Sequence, residues 1–276
     1  MPRLPALTRS SPQTLLAANV NRFNFATLQQ RLARTTWRVV ETQEIAATQA
    51  ITQNAADQAR LEALLEASKP ALAEDCAGLS YLLFTPFRYP PLPFGSRFGG
   101  QFERGIYYAA LTPEAAFAEC ALYLWLFQQG PQELGPLANI RDQRTAFSAR
   151  IRSARAIDTC SEHFSRVSKK ISDPASWEFS QKLGAALREV RTAYCLYASP
   201  RLAGATNVAV FDPKSFADKA PREIQHWHLA LDTERCRFSR RGFDGSQTIE
   251  FEYSQFTKNG RIPHPAMHKN AWHEDA

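Results

Sequence analysis

An α+β fold is predicted by three features of the chain. Short strand-like runs are scattered along it: Gly105–Ala110, Ala146–Ile151, Ala193–Ala198 and Asn207–Phe211, with His228–Leu231 and Ile249–Tyr253 as further candidates. Two helical stretches of different character interrupt them, one apolar nearly all round and one more polar. Strands and helices are mixed along the chain with no internal repeat, which is the α+β pattern.

Each element follows from local sequence. Residues 1–24 are rich in Pro, Ser, Asn and Arg with little periodicity, and read as a loose arm. From Phe25 to Lys69 the pattern turns helical: Leu61, Leu64 and Leu65 recur at i, i+3, i+4, and Pro70 ends the helix. Residues 25–78 thus read as a helical extension with few large apolar residues. Leu79–Gly100 is dense in Pro, Gly and aromatics; a strand-like run, Tyr81–Phe84, opens it and an ordered loop follows. Thr112-Pro113-Glu114 is a helix start, with an N-cap hydroxyl, Pro at N1 and an acid in the first turn. The helix from Pro113 to about Gln129 lacks a polar face and should be buried. A second helix is expected over Ser176–Arg191, and a polar, mobile tail over 257–276. A main domain spanning 79–256 results.

With 276 residues and 44% hydrophobic content, the chain can bury one good core, or one with a smaller unit appended. The net charge of +6 favours an anionic ligand or partner. Five widely spaced cysteines without a CxxC argue against a disulfide framework or a zinc site, and a reducing cytoplasm is the simplest compartment. The N-terminus has no apolar run of signal-peptide type. The longest apolar stretch, Ala115–Phe127, is too short to span a bilayer and carries Glu119, so no membrane association is expected. There is no GxGxxG and no phosphate-binding GxxxxGK[ST] loop.

Glu119 is the most informative residue. It is the only acidic or basic side chain between Glu114 and Glu133, on a helix with no polar face. A carboxylate there needs a partner or a raised pKa, and a structural salt bridge is the alternative. Arg97, in Gly95-Ser-Arg-Phe-Gly-Gly, sits where backbone can approach a ligand and a guanidinium can fork onto a phosphate. Arg88, beside Tyr89, could do the same; either arginine could instead pin the loop. Tyr107 and Tyr108 are adjacent on a strand, so one enters the core and the other is free to line a cleft. Ser199 ends a strand, as a functional side chain or a turn cap. His226 and His228 form HxH without a third ligand, so no metal is expected. His264, His268 and His273 fall in the tail and read as solvated.

These residues together resemble the RES-domain family, named for Arg, Glu and Ser. Phe87-Arg88-Tyr89 resembles its first arginine motif, and Gly95-Ser-Arg97-Phe-Gly its Gly-Arg-aromatic segment. Gly105-Ile-Tyr-Tyr108-Ala-Ala leading to Pro113-Glu-Ala-Ala-Phe-Ala-Glu119 resembles the strand and Ala-rich helix that carry the family's glutamate. Tyr197-Ala-Ser199 with Asn207-Val-Ala-Val-Phe-Asp-Pro resembles its serine strand-end and the next strand. The spacing of 11 residues from Arg97 to Tyr108, and again to Glu119, selects Tyr108 over Tyr107. Ser96 departs from the pattern, since shorter members often have Gly directly before Arg. The likeness runs from about Leu79 to Pro213, with Trp37–Pro70 similar to the extension of longer members.

The resemblance implies an ADP-ribosyltransferase-like α+β fold, small mixed sheets with surrounding helices, and a toxin of a toxin–antitoxin pair that consumes NAD⁺ by cleaving the nicotinamide–ribose bond. Described members are NAD⁺ phosphorylases, NAD⁺ glycohydrolases or ADP-ribosyltransferases. NAD⁺ is then a substrate, inorganic phosphate a candidate co-substrate, and no true cofactor is required. Glu119, Arg97, Tyr108 and Ser199 are the implied catalytic set, with Arg88 and Tyr89 joining Arg97 and Tyr108 in binding NAD⁺. An Xre-type antitoxin is the implied partner, and a homo-oligomer is compatible with the sequence. The competing reading is a non-enzymatic basic module that binds nucleic acid or a partner through Arg150–Arg155 and Arg235–Arg241. No helix-turn-helix or RNP motif supports direct nucleic-acid contact.

Overall fold

The computed structural model describes residues 20, 22–42, 52–131, 133–242 and 245–267. Twelve main elements follow in order: β1 (Gln30–Glu41), α1 (Ala55–Ser68), α2 (Tyr81–Arg88), β2 (Tyr107–Ala110), α3 (Pro113–Gln128), β3 (Ile140–Asp158), α4 (Glu178–Glu189), β4 (Tyr194–Ala198), β5 (Thr206–Val210), β6 (Glu223–Leu231), β7 (Arg235–Gly242) and β8 (Gly245–Glu252). The α+β class is as predicted. The strands join into one eight-stranded sheet, ordered β1-β2-β5-β4-β3-β6-β7-β8. Among the described strand pairs, β3–β4 alone is parallel. A further β1–β3 pairing closes β1, β2, β5, β4 and β3 into a ring.

The main correction concerns the N-terminal extension. Of residues 25–69, expected to be helical, Phe25–Leu28 and α1 are helix, but Gln30–Glu41 is β1, paired with β3 from Gln30↔Ala156 to Glu41↔Arg144. Thr35-Thr-Trp-Arg-Val-Val is β-branched and aromatic, which favours strand; the helical spacing belonged to Leu61, Leu64 and Leu65 alone. Thr36 is fully buried and its Oγ1 donates to the Ala149 carbonyl at 3.0 Å. Strand β1 is therefore part of the main sheet. Helix α1 does form, capped by Asn54, but none of its residues is buried. Within the arm, Val20 is buried and Phe23 stacks on Phe164; residues 1–19 lie outside the described residues.

Tyr81–Phe84 is helix rather than strand. An apolar run of four cannot distinguish the two by periodicity, and packing decides it: Leu82, Leu83 and Phe87 turn one face of α2 into the core. The expected mobile tail is also corrected. Residues 257–267 fold back onto the body, with Ile262, His264 and Ala266 buried. His268 and His273 lie outside the described residues.

The core has three main clusters. Cys195 and Tyr197 of β4 face α4 with Phe98, Leu183 and Leu187. Tyr194 and Leu196 face the opposite way with Leu83, Phe87, Tyr107 and Phe147, as strand alternation requires. Phe117, Leu122 and Trp125 of α3 pack on Trp227, Phe238 and Ile262. Burying each large side chain contributes roughly 1.5–3 kcal/mol, so α3 is firmly seated. The two arginine runs fall on β3 and β7, where outward positions alternate with buried ones such as Ile151, Cys236 and Phe238.

Candidate active site

A cleft of about 780 Å³ lies beside α3, β1 and β2. Helix α3 contributes Ala116, Glu119, Cys120, Tyr123 and Leu124, a stripe at i, i+3, i+4, i+7, i+8. The opposite stripe is the one anchored in the core, so the helix is apolar all round yet presents one acid to the cleft. Thr112 Oγ1 accepts from Ala115 N–H at 3.3 Å and fixes the start of the helix.

Glu119 is partly buried, and Asn207 Nδ2 donates to its Oε1 at 2.8 Å. Burial pushes its carboxyl above the usual carboxylate range, while Arg201, Arg97 and the Asn207 hydrogen bond partly offset this. No arginine forms an ion pair with it among the described residues.

Arg97 is buried and lines the cleft; its NH1 donates to the carbonyls of Ile171 at 3.1 Å and Asp173 at 2.9 Å. Its loop is clamped from α4. Gln181 Nε2 donates to the carbonyls of Phe94 (3.1 Å) and Ser96 (3.0 Å), and Arg188 NH1 to that of Phe98 (2.8 Å). Arg188 also pairs with Glu103. Gly95 has φ +77°, and a Cβ there would overlap the Gly99 carbonyl, so glycine is required. A Cβ at Gly184 would likewise overlap Phe98, so α4 packs directly on the loop backbone.

Tyr108 faces the cleft and Tyr107 the core. The Tyr108 hydroxyl accepts from Phe98 N–H at 2.9 Å and shares a hydrogen bond with Ser96 Oγ at 2.9 Å. Its hydroxyl thus ties the arginine loop to β2, leaving its ring as cleft wall. Tyr89 also lines the cleft.

Two expected residues stand apart. Arg88 does not line the cleft: NH1 pairs with Glu66 at 2.7 Å and Nε donates to the Pro70 carbonyl at 2.5 Å. It pins α1 to α2, a structural role on elements other than the loop it was expected to hold. Ser199 does not line the cleft either. Its Oγ accepts from the backbone N–H groups of Arg201 (3.2 Å) and Leu202 (3.1 Å), capping the turn that carries Arg201.

The structure adds groups that sequence reasoning missed. Arg38 of β1 lines the cleft, donates to the Tyr108 carbonyl at 2.6 Å and lies 5.2 Å from the Tyr107 ring centre. Arg201 donates to the carbonyls of Pro263 (3.0 Å) and Pro174 (3.2 Å). Tyr123, Trp177, Tyr197 and Asn207 complete the wall around Glu119. Arg38 sat in a segment read as helical, so nothing marked it. Tyr123, four residues after Glu119, was recoverable from helix geometry alone.

Arg38, Arg97 and Arg201 have no ion-pair partner among the described residues, while the other cleft arginine, Arg144, pairs with Asp142 at 2.5 Å. The cleft carboxylates are Glu119 and, at the end of β1, Glu41. Arg38 Nε, Arg201 Nε and Trp177 Nε1 are buried without hydrogen-bond partners, as is Asn207 Oδ1. Three unused donors, two of them on the unpaired guanidiniums of Arg38 and Arg201, suit an acceptor-rich anion. His226 and His228 take exposed positions on β6, and no cluster of three potential metal ligands occurs among the described residues. No described helix is long and apolar enough to cross a membrane.

A cleft holding one raised carboxyl, unpaired arginines and aromatic walls, on a strand–helix unit with this spacing, defines a ligand-binding domain of a recognisable family. The family model described as RES domain matches residues 72–232, and the chain belongs to that family. No curated protein matches. Among solved structures, the M. tuberculosis MbcT–MbcA toxin–antitoxin complex is similar, with a TM-score of 0.42 and 12% identity over 79% of this chain and 92% of that chain.

Proposed function

We propose that this protein is an NAD⁺-consuming toxin that cleaves the nicotinamide–ribose bond, with Glu119 as the central carboxylate. The observation that carries the reading is the charge arrangement: one recessed carboxylate facing a cleft whose Arg38, Arg97 and Arg201 are unpaired among the described residues. NAD⁺ combines a pyrophosphate dianion with a cationic nicotinamide riboside, so it needs both.

Arg97 and Arg38 hold the pyrophosphate by charge-assisted hydrogen bonds. The rings of Tyr108 and Tyr89 wall the nicotinamide end. Nicotinamide leaves as a neutral base, so no acid is needed to protonate it. Positive charge grows on the ribose, as in glycoside cleavage. Ionised Glu119, held by Asn207, stabilises that charge where water is excluded. Ser199 contributes through the turn that places Arg201. The acceptor at the ribose carbon is phosphate or water. Within the same reading, an antitoxin, expected to be Xre-type, covers the cleft in the resting complex.

Incubation of the purified chain with NAD⁺ and phosphate, followed by mass analysis, tests the reading. Nicotinamide with ADP-ribose-1″-phosphate is the phosphorylase outcome and free ADP-ribose the hydrolase outcome. A mass shift on protein identifies a transferase instead. Intact NAD⁺ in all conditions sinks the proposal.

A further inference from the structure

Residues 257–267 lie outside the family-matched span, yet they reach the cleft wall. Ile262 is buried under α3 with Phe117 and Trp125. The next carbonyl, Pro263, accepts from Arg201 NH1 at 3.0 Å. His264 is 1% exposed and packs edge-on against two cleft residues, Trp177 at 5.0 Å and Tyr123 at 5.5 Å between ring centres. Tyr123 lies one turn after Glu119 on α3. Trp177 meets Phe94 at a tilt, 5.9 Å between ring centres, and its ring centre lies 6.0 Å from the Arg97 guanidinium carbon.

The His264 ring is itself fixed. Nδ1 accepts from Ala266 N–H at 3.2 Å, so Nε2 carries the proton, and Nε2 has no hydrogen-bond partner. A buried polar ring with one nitrogen unused is an expensive way to fill space. An aliphatic side chain would fill a purely structural gap more cheaply. Two ring faces set at right angles to it give the imidazole a different use, since edge-to-face contacts fix the orientation of both partners.

We propose that His264 is a positioning residue: wedged between Tyr123 and Trp177 while the preceding carbonyl holds Arg201, it makes residues 257–267 part of the catalytic unit. The segment touches three cleft groups carried on separate elements: Tyr123 on α3, Trp177 before α4, and Arg201 in the turn after β4. The kinetic arm of the test rests on the NAD⁺ reading; the exchange arm does not.

The test compares His264→Ala and His264→Phe with wild type in the full chain. NAD⁺ loss is measured per folded molecule, below the onset of unfolding. Misplacing Arg201 and the wall beside Glu119 should lower kcat of His264→Ala by about tenfold or more while KM changes less than about threefold. His264→Phe keeps an aromatic wedge and should restore kcat to within about threefold of wild type. A structural role alone would lower Tm in both variants and leave kcat per folded molecule unchanged. Wild-type kcat in His264→Ala, or equal loss in His264→Phe, overturns the proposal. If His264→Ala does not fold, His264→Leu replaces it, with the same outcomes. If wild type consumes no NAD⁺, the functional reading fails, and amide exchange at residues 175–178, 199 and 201–205 decides on the wedge. Exchange about tenfold faster in the Ala (or Leu) variant than in wild type supports it, and unchanged exchange overturns it.

Discussion

Glu119 sits where its helix would be better off without it. Its folded-state pKa is raised, so the folded chain binds that proton more readily than the unfolded chain. Stability from this group therefore falls as pH rises from the ordinary carboxylate range through the raised value, and stays lower above it. Glu119→Gln keeps an acceptor for Asn207 and removes the charge. Its Tm at pH 8 should equal or exceed that of wild type, with the difference vanishing in acid, as scanning calorimetry would show. A clear loss of stability at pH 8 would mean that the arginines depend on the charge. Catalysis runs the other way: a reaction that needs the carboxylate should gain rate as pH rises through the raised pKa. Arg97→Ala and Arg38→Ala should each weaken NAD⁺ binding by about 2–4 kcal/mol, a lost charged contact plus some misplacement. Titration calorimetry showing unchanged affinity would leave those side chains structural. Ser199→Ala should cost only about 1 kcal/mol in kcat/KM, because it loosens a turn rather than a reacting group.

Among the elements, α3 and β2 were legible because their signals are local. Thr112-Pro113-Glu114 is a capping motif, and the adjacent tyrosines must point opposite ways on any strand. Strand β1 was not legible, because its partner, β3, lies over a hundred residues away and a lone β-branched run competes with the helical pattern that follows. The role of Arg88 was hidden for a similar reason: its partners, Glu66 and Pro70, belong to α1 and its end. The clamp on the arginine loop is likewise long-range, so it offers a test of element-scale positioning. Gln181→Ala removes the donor to the Phe94 and Ser96 carbonyls and should raise KM for NAD⁺ more than it lowers kcat. Gly184→Ala forces α4 off Phe98 and should destabilise the chain by about 1–3 kcal/mol in urea unfolding. No loss of stability would mean that the loop yields freely.

For the molecule as a whole, the ring closed by β1 and the returning C-terminal segment place the cleft inside one cooperative unit. The family-matched residues 72–232 omit β1, β7 and β8. A chain restricted to those residues should lose cooperative urea unfolding, and a sharp transition would show that the ring is dispensable. His264 adds an acid limit. Burial first, then Arg201 and Arg97, lowers its pKa to about 3. The unfolded chain takes up that proton near the ordinary histidine value and the folded chain does not. Its contribution to stability is therefore complete above about pH 6.5 and lost progressively as pH falls toward 3. His264→Phe should show a flatter Tm profile across that window.

If Glu119 is the carboxylate that drives cleavage of NAD⁺, removing its charge must stop nicotinamide release. Nicotinamide release from NAD⁺, followed by mass spectrometry for wild type and Glu119→Gln at equal folded concentration, tests it most directly. Wild type should release nicotinamide steadily, and the variant at a rate lower by about a hundredfold or more. Intact NAD⁺ with wild type, or equal release by the variant, would contradict it.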